Sequence, residues 1–201
     1  MDSEVREYTV TIYTENQIGL LAQITNVFTR HGLSIWSLSA GATSMEGVHN
    51  ITIVTSGSEK KVRESVQQIE KRVDVIKVFF YTADKIVYRE LCLYKVPTPA
   101  LLEYGDIETL LNRYHARIVE MNKVFTVIQK TGLSDETAAL HDDLKPIGVL
   151  QFVRSGRIAV SRAEQEPVFK FLKKRERERN QHLNNRSTWQ RSILAGSTKM
   201  S

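Results

Sequence analysis

The segment Thr14–Gly19 contains residue types suited to binding a small charged molecule. Its sequence is Thr-Glu-Asn-Gln-Ile-Gly, and it joins a predicted strand to a predicted helix. Backbone N–H groups at the start of a helix attract a carboxylate. Asn16 adds a donor and an acceptor, which suits a zwitterionic amino acid, and Gly19 lets the backbone approach a small ligand. In an alternative interpretation, Asn16 only caps the helix and Gly19 only relieves crowding, and the spacing taken alone favours this alternative.

The binding energy sets a further requirement for such a site. A carboxylate at a helix terminus gains about 0.3–2 kcal/mol, whereas binding at 10–100 µM needs roughly 5.5–7 kcal/mol. Burial of a Val-sized side chain adds about 1.5–3 kcal/mol. An apolar pocket is therefore needed as well, and Ile18, Leu20 and a facing strand with Ile35 are its candidate residues, across a subunit interface.

Patterns typical of catalysis do not accompany this loop. The histidines are scattered and have no zinc-type spacing with a cysteine or with one another: they are His31, His49, His115, His141 and His182. The cluster His141-Asp142-Asp143 lies on a predicted amphipathic helix, where exposed polar residues are expected. Cys92, on a predicted strand, is expected to be a buried structural thiol. Since dinucleotide, Walker and nucleophile-elbow motifs are also absent, we predict no catalytic residues, metal site or cofactor in this chain.

A first β-α-β-β-α-β pattern positions the loop. Polar and apolar residues alternate over Tyr8–Thr14, and Leu20, Ile24, Val27 and Phe28 recur at helical spacing before Gly32. The runs Leu33–Thr43 and Val48–Thr55 are predicted to form a hairpin. Ser58 is the predicted cap of a second helix with a buried stripe of Val62, Val66, Ile69 and Val73, and Val75–Tyr81 is the predicted last strand.

The same pattern recurs after a boundary near Thr82–Lys85. Its predicted parts are a strand at Ile86–Val96, a helix with Ile107, Leu110, Leu111 and Tyr114, a hairpin of Ala116–Met121 and Val124–Lys130, a helix from Ser134 or Asp135 to Leu144, and strands at Ile147–Arg154 and Arg157–Val160. Pro97 and Pro99 are expected to stop a helix from continuing out of the strand before them. We therefore predict an α+β protein of two tandem ferredoxin-like βαββαβ domains, at residues 5–82 and 86–163.

The charge is concentrated near the end of the chain. The net charge is +5 and the isoelectric point is about 9.3, which invites a nucleic-acid interpretation. Residues 170–201 hold nine of the 28 basic residues and two of the 23 acidic ones, a net +7, so that residues 1–169 carry −2. Residues 164–201 are predicted to be a basic tail, partly helical and then disordered. A solvated charged helix end explains this tail better than an acidic partner surface does.

Composition bounds the remaining function classes. A hydrophobic fraction of 41% with 25% charged residues excludes disorder throughout. No apolar run approaches the ~18 residues of a membrane span, and Asp2, Glu4, Arg6 and Glu7 interrupt any signal peptide. The single cysteine fits a reducing compartment. We expect a cytoplasmic protein without membrane association.

Several segments resemble the regulatory subunits of acetolactate synthase, whose N-terminal domain is an ACT domain. The similar segments are Tyr8–Leu21, Phe28–Gly32, Ile35–Leu38, Glu46–His49, Gln68–Lys71, Val73–Val75, Glu90–Val96 and Arg154–Arg162. Each is weakly specific alone, whereas their order and spacing together are specific. The resemblance covers about residues 5–165 and leaves out the tail.

This resemblance implies a non-catalytic partner of a larger subunit. That subunit uses thiamine diphosphate, magnesium and FAD to condense two 2-keto acids in branched-chain amino acid biosynthesis. The small subunit raises its activity and transmits feedback inhibition by valine or a related amino acid. The effector is implied to sit between the ACT domains of a homodimer, with Asn16 and Gly19 at its charged end and Gln17, Ile18 and Leu20 nearby. The strand with Ser34 and Ile35 is implied to come from the neighbouring chain.

One departure from the family pattern falls within this implied site. The family usually has Asn-Ile-Glu-Ser-Leu where this chain has Ser34-Ile35-Trp36-Ser37-Leu38. Ser34 is shorter than Asn and lacks its amide, which implies weaker valine binding. Trp36 is equally compatible with filling a subunit interface and with packing as an ordinary strand aromatic.

Two other function classes remain open. A free-standing ACT-domain sensor would bind an amino acid without altering an acetolactate synthase. A nucleic-acid-binding ferredoxin-like module is the less favoured alternative, because the predicted central strand Val48–Thr55 lacks the aromatic residues on which bases stack.

Overall fold

The computed structural model describes residues 4–164 and 168–173. Residues 168–173 are helical. The predicted course of the basic tail from residue 174 onward lies outside the described residues. Among those residues, no helix has the length and apolar character needed to cross a membrane.

The first sheet is built from residues 5–81. Its elements are β1 (Val5–Glu15), α1 (Leu20–Arg30), β2 (Ile35–Ala42), β3 (Val48–Ser58), α2 (Glu59–Glu70) and β4 (Val75–Tyr81). The strand order is β2-β3-β1-β4, and every neighbouring pair is antiparallel. This is the ferredoxin-like arrangement that the sequence predicts.

The two helices of this unit follow from their sequence patterns. α1 buries Leu20, Ile24, Val27 and Phe28, which lie on one face because they recur every three to four residues. The Ser58 hydroxyl accepts a hydrogen bond from the Lys61 N–H at 3.4 Å and so caps α2. Both helices pack on one face of the sheet around Val10, Ile12 and Ile53.

The prediction for Val73 is wrong. α2 ends at Glu70, and the Val73 side chain is 97% exposed. The chain turns instead, with the Arg72 N–H bonded to the Ile69 carbonyl and the Val75 N–H bonded to the Arg72 carbonyl. A residue that recurs at helical spacing contributes to a buried stripe only while the helix continues.

The second sheet is built from residues 86–161. A 3₁₀ turn (Ala83–Lys85) precedes β5 (Ile86–Pro97), α3 (Thr98–Glu103), α4 (Ile107–Tyr114), β6 (Arg117–Met121), β7 (Phe125–Gly132), α5 (Ser134–Leu144), a 3₁₀ turn (Lys145–Ile147), β8 (Gln151–Arg154) and β9 (Ile158–Ser161). The order is β6-β7-β5-β8, which repeats the topology of the first sheet. β9 pairs with Ile86–Arg89 of β5, whereas β8 pairs with Cys92–Lys95.

Two details differ from the sequence prediction for this unit. A short helix, α3, starts directly after β5 and holds Pro99 in its first turn, where the missing proline N–H has no helical partner to lose. Ile147 lies in a 3₁₀ turn, and β8 starts only at Gln151. The predicted burial of Cys92 is confirmed, since its side chain is fully buried between the helices and the sheet.

Candidate functional site

The loop between β1 and α1 is open to solvent. Asn16, Gln17, Ile18 and Gly19 are all exposed, and the Ile18 side chain is fully exposed. Leu20 is the first buried residue after the loop, at 3% exposure. Ile18 thus presents an apolar side chain to solvent just before the start of α1.

The helix-cap interpretation of Asn16 is wrong. The N-cap position of α1 is Gly19, which has a left-handed backbone with φ of 82° and makes no side-chain cap. Among the described residues, no hydrogen-bond partner of the Asn16 side chain is present. A Cβ on Gly19 would meet nothing within 4 Å, so the glycine serves the backbone conformation and does not relieve crowding. The Asn16 amide is therefore available to a ligand.

The other half of the predicted site lies at the opposite end of the sheet. Ser34 is exposed and Ile35 is half-buried at the start of β2. Ile35 is level with Thr55 of β3, which is level with Tyr8 of β1. From there to Glu15, the last residue of β1, the strand rises about 23 Å at ~3.3 Å per residue. A single chain therefore does not bring Ser34 and Ile35 to Asn16.

A second polar cluster joins the two sheets around Arg157, between β8 and β9. The Arg157 side chain is 3% exposed, and its Nη1 donates to Glu7 Oε1 at 2.7 Å and to Thr9 Oγ1 at 3.0 Å, both on β1. Its Nε lies 3.8 Å from Glu90 Oε1 on β5, and its guanidinium carbon lies 3.8 Å from the centre of the Tyr88 ring. One side chain thus contacts the first strand of each sheet.

The backbone around Arg157 also contacts both sheets. The Arg157 N–H donates to Ser37 Oγ of β2 at 2.9 Å. A Cβ built on Gly156 would lie 2.3 Å from the Leu38 carbonyl oxygen, so only glycine fits there. Ser155 is fixed to β5, because its N–H donates to the Leu91 carbonyl at 2.8 Å and its Oγ accepts from the Leu91 N–H at 2.9 Å.

Glu90 is the acidic centre of this cluster and is almost fully buried. Its Oε1 accepts from Ser134 Oγ at 2.8 Å, and Arg154 Nε lies 3.5 Å from its Oε2. Neither Glu90 Oε2 nor Arg157 Nε has a hydrogen-bond partner among the described residues, and both atoms are shielded from solvent. This cluster was not predicted from the sequence; its signal there is the Arg-Ser-Gly-Arg run at residues 154–157.

The cluster His141–Asp143 has structural contacts. Asp142 lies 2.7 Å from Lys145 Nζ, which lowers the pKa of Asp142. Asp143 accepts from the Tyr114 hydroxyl at 2.7 Å, and this bond raises the pKa of Tyr114. The centroids of the His141 and Phe152 rings lie 4.9 Å apart. The described part of the chain holds no group of three or more His, Cys, Asp or Glu residues arranged for a metal ion.

The ferredoxin-like fold and family comparison together define an ACT-domain protein, and the comparison assigns each half. Residues 10–77 match the ACT domain of AHAS small subunit-like proteins, where AHAS is acetohydroxyacid synthase, and residues 89–163 match the small subunit of acetolactate synthase. The chain belongs to the acetolactate synthase small-subunit family.

Individual relatives agree with this assignment along nearly their whole length. The acetolactate synthase small subunit of Bacillus subtilis is 34% identical over 158 residues, which is 78% of this chain and 91% of the relative. That of Mycolicibacterium smegmatis is 32% identical over 162 residues, 81% of this chain and 95% of the relative. The solved small subunit from Thermotoga maritima has 25% identity and a TM-score of 0.71, over 80% of this chain and 99% of that one.

The family assignment confirms the predicted class of subunit. The chain is a regulatory, non-catalytic subunit in branched-chain amino acid biosynthesis, and catalysis resides in a large subunit that is its partner. Both fold halves and their order agree with the predicted tandem arrangement.

Proposed function

We propose that this chain activates the catalytic large subunit of an acetolactate synthase and makes that activity responsive to valine or a related branched-chain amino acid. The observation that carries the proposal is the exposed Asn16–Gly19 loop, with its unpaired amide and solvent-exposed Ile18. The loop offers polar groups for an amino acid's charged end and apolar surface for its side chain. Thiamine diphosphate, magnesium and FAD would belong to the large subunit.

The effector site forms between two copies of the chain. β2 is an edge strand of the first sheet, so it offers unpaired backbone groups to a second copy. Two β2 strands related by a two-fold axis run antiparallel, which brings the start of one beside the end of the other. Such pairing carries the Ser34–Ile35 end of one chain toward the Asn16 end of its partner. Residues 5–82 would then bind the effector and dimerise.

The second domain, residues 86–163, docks on the large subunit in this proposal. Residues alternate along β5, so that one face packs on the helices and the opposite face is open. The open face carries exposed apolar side chains from three paired strands: Val87, Leu91, Leu93, Val153, Ile158 and Val160. Such a contiguous apolar surface is typical of a protein interface.

The proposal is tested by assaying the cognate large subunit with and without this chain. We expect higher activity with the chain present, and inhibition of that activity when valine, leucine and isoleucine are titrated separately. Co-purification of the two chains separates this function from a free-standing sensor. A chain that binds an amino acid yet neither co-purifies with nor activates the large subunit would establish the sensor instead.

Replacement of Asn16 tests the assignment of the effector loop. We expect Asn16→Ala to abolish the valine response while activation remains, because the side chain faces solvent and no hydrogen bond among the described residues depends on it. The matched control is Asn112→Ala, at an exposed position of α4. Loss of activation together with the valine response in Asn16→Ala would refute this division of labour.

A further inference from the structure

We propose that the loop Arg154–Arg157 is the coupling element between the two domains, with Arg157 as the positioning residue that transmits a shift of β1 and β2 to β5. This inference rests on the proposed function, since it assumes an effector that acts at the edge of the first sheet. It adds the route by which that effect reaches the second sheet, which carries the proposed docking face.

The loop contacts the first sheet at the strand closest to the proposed effector. Ser37 and Leu38 lie two and three residues after Ile35 on β2. The Arg157 N–H bonds to Ser37 Oγ at 2.9 Å, and Gly156 lies against the Leu38 carbonyl so closely that a methyl group would overlap it. Because N–H···O bonds keep donor and acceptor within roughly 2.7–3.2 Å, a displacement of β2 beyond that range must move this loop or break the hydrogen bond.

The same loop is fixed to the second sheet on its other side. Two hydrogen bonds join Ser155 to Leu91 of β5, and Arg154 lies within 3.5 Å of Glu90. Alternate residues of β5 point to opposite faces, so Leu91 lies on the open face next to buried Glu90. Movement of the loop thus reaches the strand at the centre of the docking face.

The Arg157 cluster has the balance expected of a contact with two arrangements. The buried charges of Glu90 and Arg157 lose their hydration. Their attraction across 3.8 Å offsets that free-energy cost only in part, because Glu90 Oε2 and Arg157 Nε each lack a hydrogen-bond partner among the described residues. A cavity of about 400 Å³ lies beside the cluster, bordered by Trp36 and Val54, and leaves room for rearrangement. Such a contact favours one arrangement of the two sheets by only a small free energy. An effector that binds one arrangement more tightly can therefore shift the population between them.

The test compares Arg157→Lys and Ser37→Ala with wild type in complex with the large subunit. Arg157→Lys keeps the charge but cannot hold Glu7, Thr9 and Glu90 from one planar group. Ser37→Ala removes only the acceptor of the Arg157 N–H and leaves the core unchanged. Arg63→Met, an exposed position on α2, is the control.

Three quantities are measured for each variant: valine binding by equilibrium dialysis, activation without valine, and the extent of inhibition at saturating valine. We expect both variants to bind valine within about threefold of wild type and to activate the large subunit. Inhibition at saturation falls by more than half in Arg157→Lys and by less in Ser37→Ala.

The outcomes separate this inference from the function it rests on. Full inhibition in Arg157→Lys overturns the coupling role. A parallel loss of valine binding, activation and inhibition in Arg157→Lys indicates a merely structural contact and also overturns the coupling role. Full inhibition in Ser37→Ala overturns it as well. A wild-type chain that binds no branched-chain amino acid refutes the proposed function itself, whatever the variants do.

Discussion

A substitution at Ser34 can alter the proposed effector site without affecting the fold. Its carbonyl oxygen accepts a hydrogen bond from Thr55 Oγ1 at 2.8 Å, which fixes the backbone at the start of β2. Its side chain is exposed, and no hydrogen-bond partner of its hydroxyl is present in the described part of the chain. The backbone contact is independent of the side chain, so a substitution here changes the proposed site alone.

We predict that Ser34→Asn strengthens inhibition by valine. The amide adds one donor and one acceptor at the proposed site, and one further hydrogen bond contributes about 0.5–1.5 kcal/mol. The concentration of valine for half-maximal inhibition should fall by roughly 2–10-fold, measured in the assay with the large subunit. Thr109→Asn, an exposed position on α4, is the control. An unchanged valine titration would remove Ser34 from the site.

The residues that the sequence predicted well have partners close along the chain. Ser58 caps a helix that begins one residue later, and the predicted hairpin turns at Asn122, which accepts from the Val124 and Phe125 N–H groups. Arg157 differs, because its hydrogen-bond partners lie 120, 148 and 150 residues away. No local period marks such a residue, and only the assembled sheets show that its charge is buried.

β5 is the element that links packing in the second sheet to the proposed docking face. Its residues alternate between buried and exposed along nearly its whole length, and it pairs with β7 on one side and with β8 and β9 on the other. Leu93 lies on the open face, level with Val153 of β8 and Gln129 of β7. It is partly exposed, at 36%, in the isolated chain.

A charge at Leu93 should therefore impair docking more than stability. We predict that Leu93→Glu raises the concentration of this chain needed for half-maximal activation by at least about tenfold, because an unpaired carboxylate in an interface costs several kcal/mol. Valine binding should persist, and Tm should shift by only a few degrees, since surface substitutions are usually small. Val73→Glu, at a 97% exposed position outside this sheet, is the control. Normal activation by Leu93→Glu would place the docking surface elsewhere.

The sequence predicted which helices and strands exist, and their order, better than it predicted where each one begins and ends. The period of apolar residues located α1, α2 and α5, because each buries a stripe of its own. The same period wrongly extended the buried stripe of α2 to Val73, where the chain has already turned. It also missed α3, because that helix has only six residues. Helix ends and one-turn helices depend on a few hydrogen bonds, which a hydrophobic period does not encode.

The net charge of the whole molecule does not describe its two sheets. Residues 1–169 carry a net −2, and residues 170–201 carry +7. The central strands of the first sheet also offer little surface for stacking bases: Tyr8 and Tyr13 of β1 are 4% and 6% exposed, and β3 has no Phe, Trp or Tyr. Any affinity for polyanions is therefore expected to come from the last 32 residues.

A chain ending at residue 169 tests this separation of charge from regulation. We predict that it loses retention on heparin and binding to single-stranded RNA at low salt, because its net charge changes from +5 to −2 and the phosphate contacts that dominate such binding are removed. Activation of the large subunit and the valine response should stay unchanged, since Asn16, Arg157 and the open face of the second sheet all precede residue 169. The full chain measured at rising salt serves as the control, and its RNA binding should weaken steeply. Equal RNA affinity in the shortened chain would instead assign nucleic-acid binding to the sheets, whereas loss of activation would give the basic tail a part in docking.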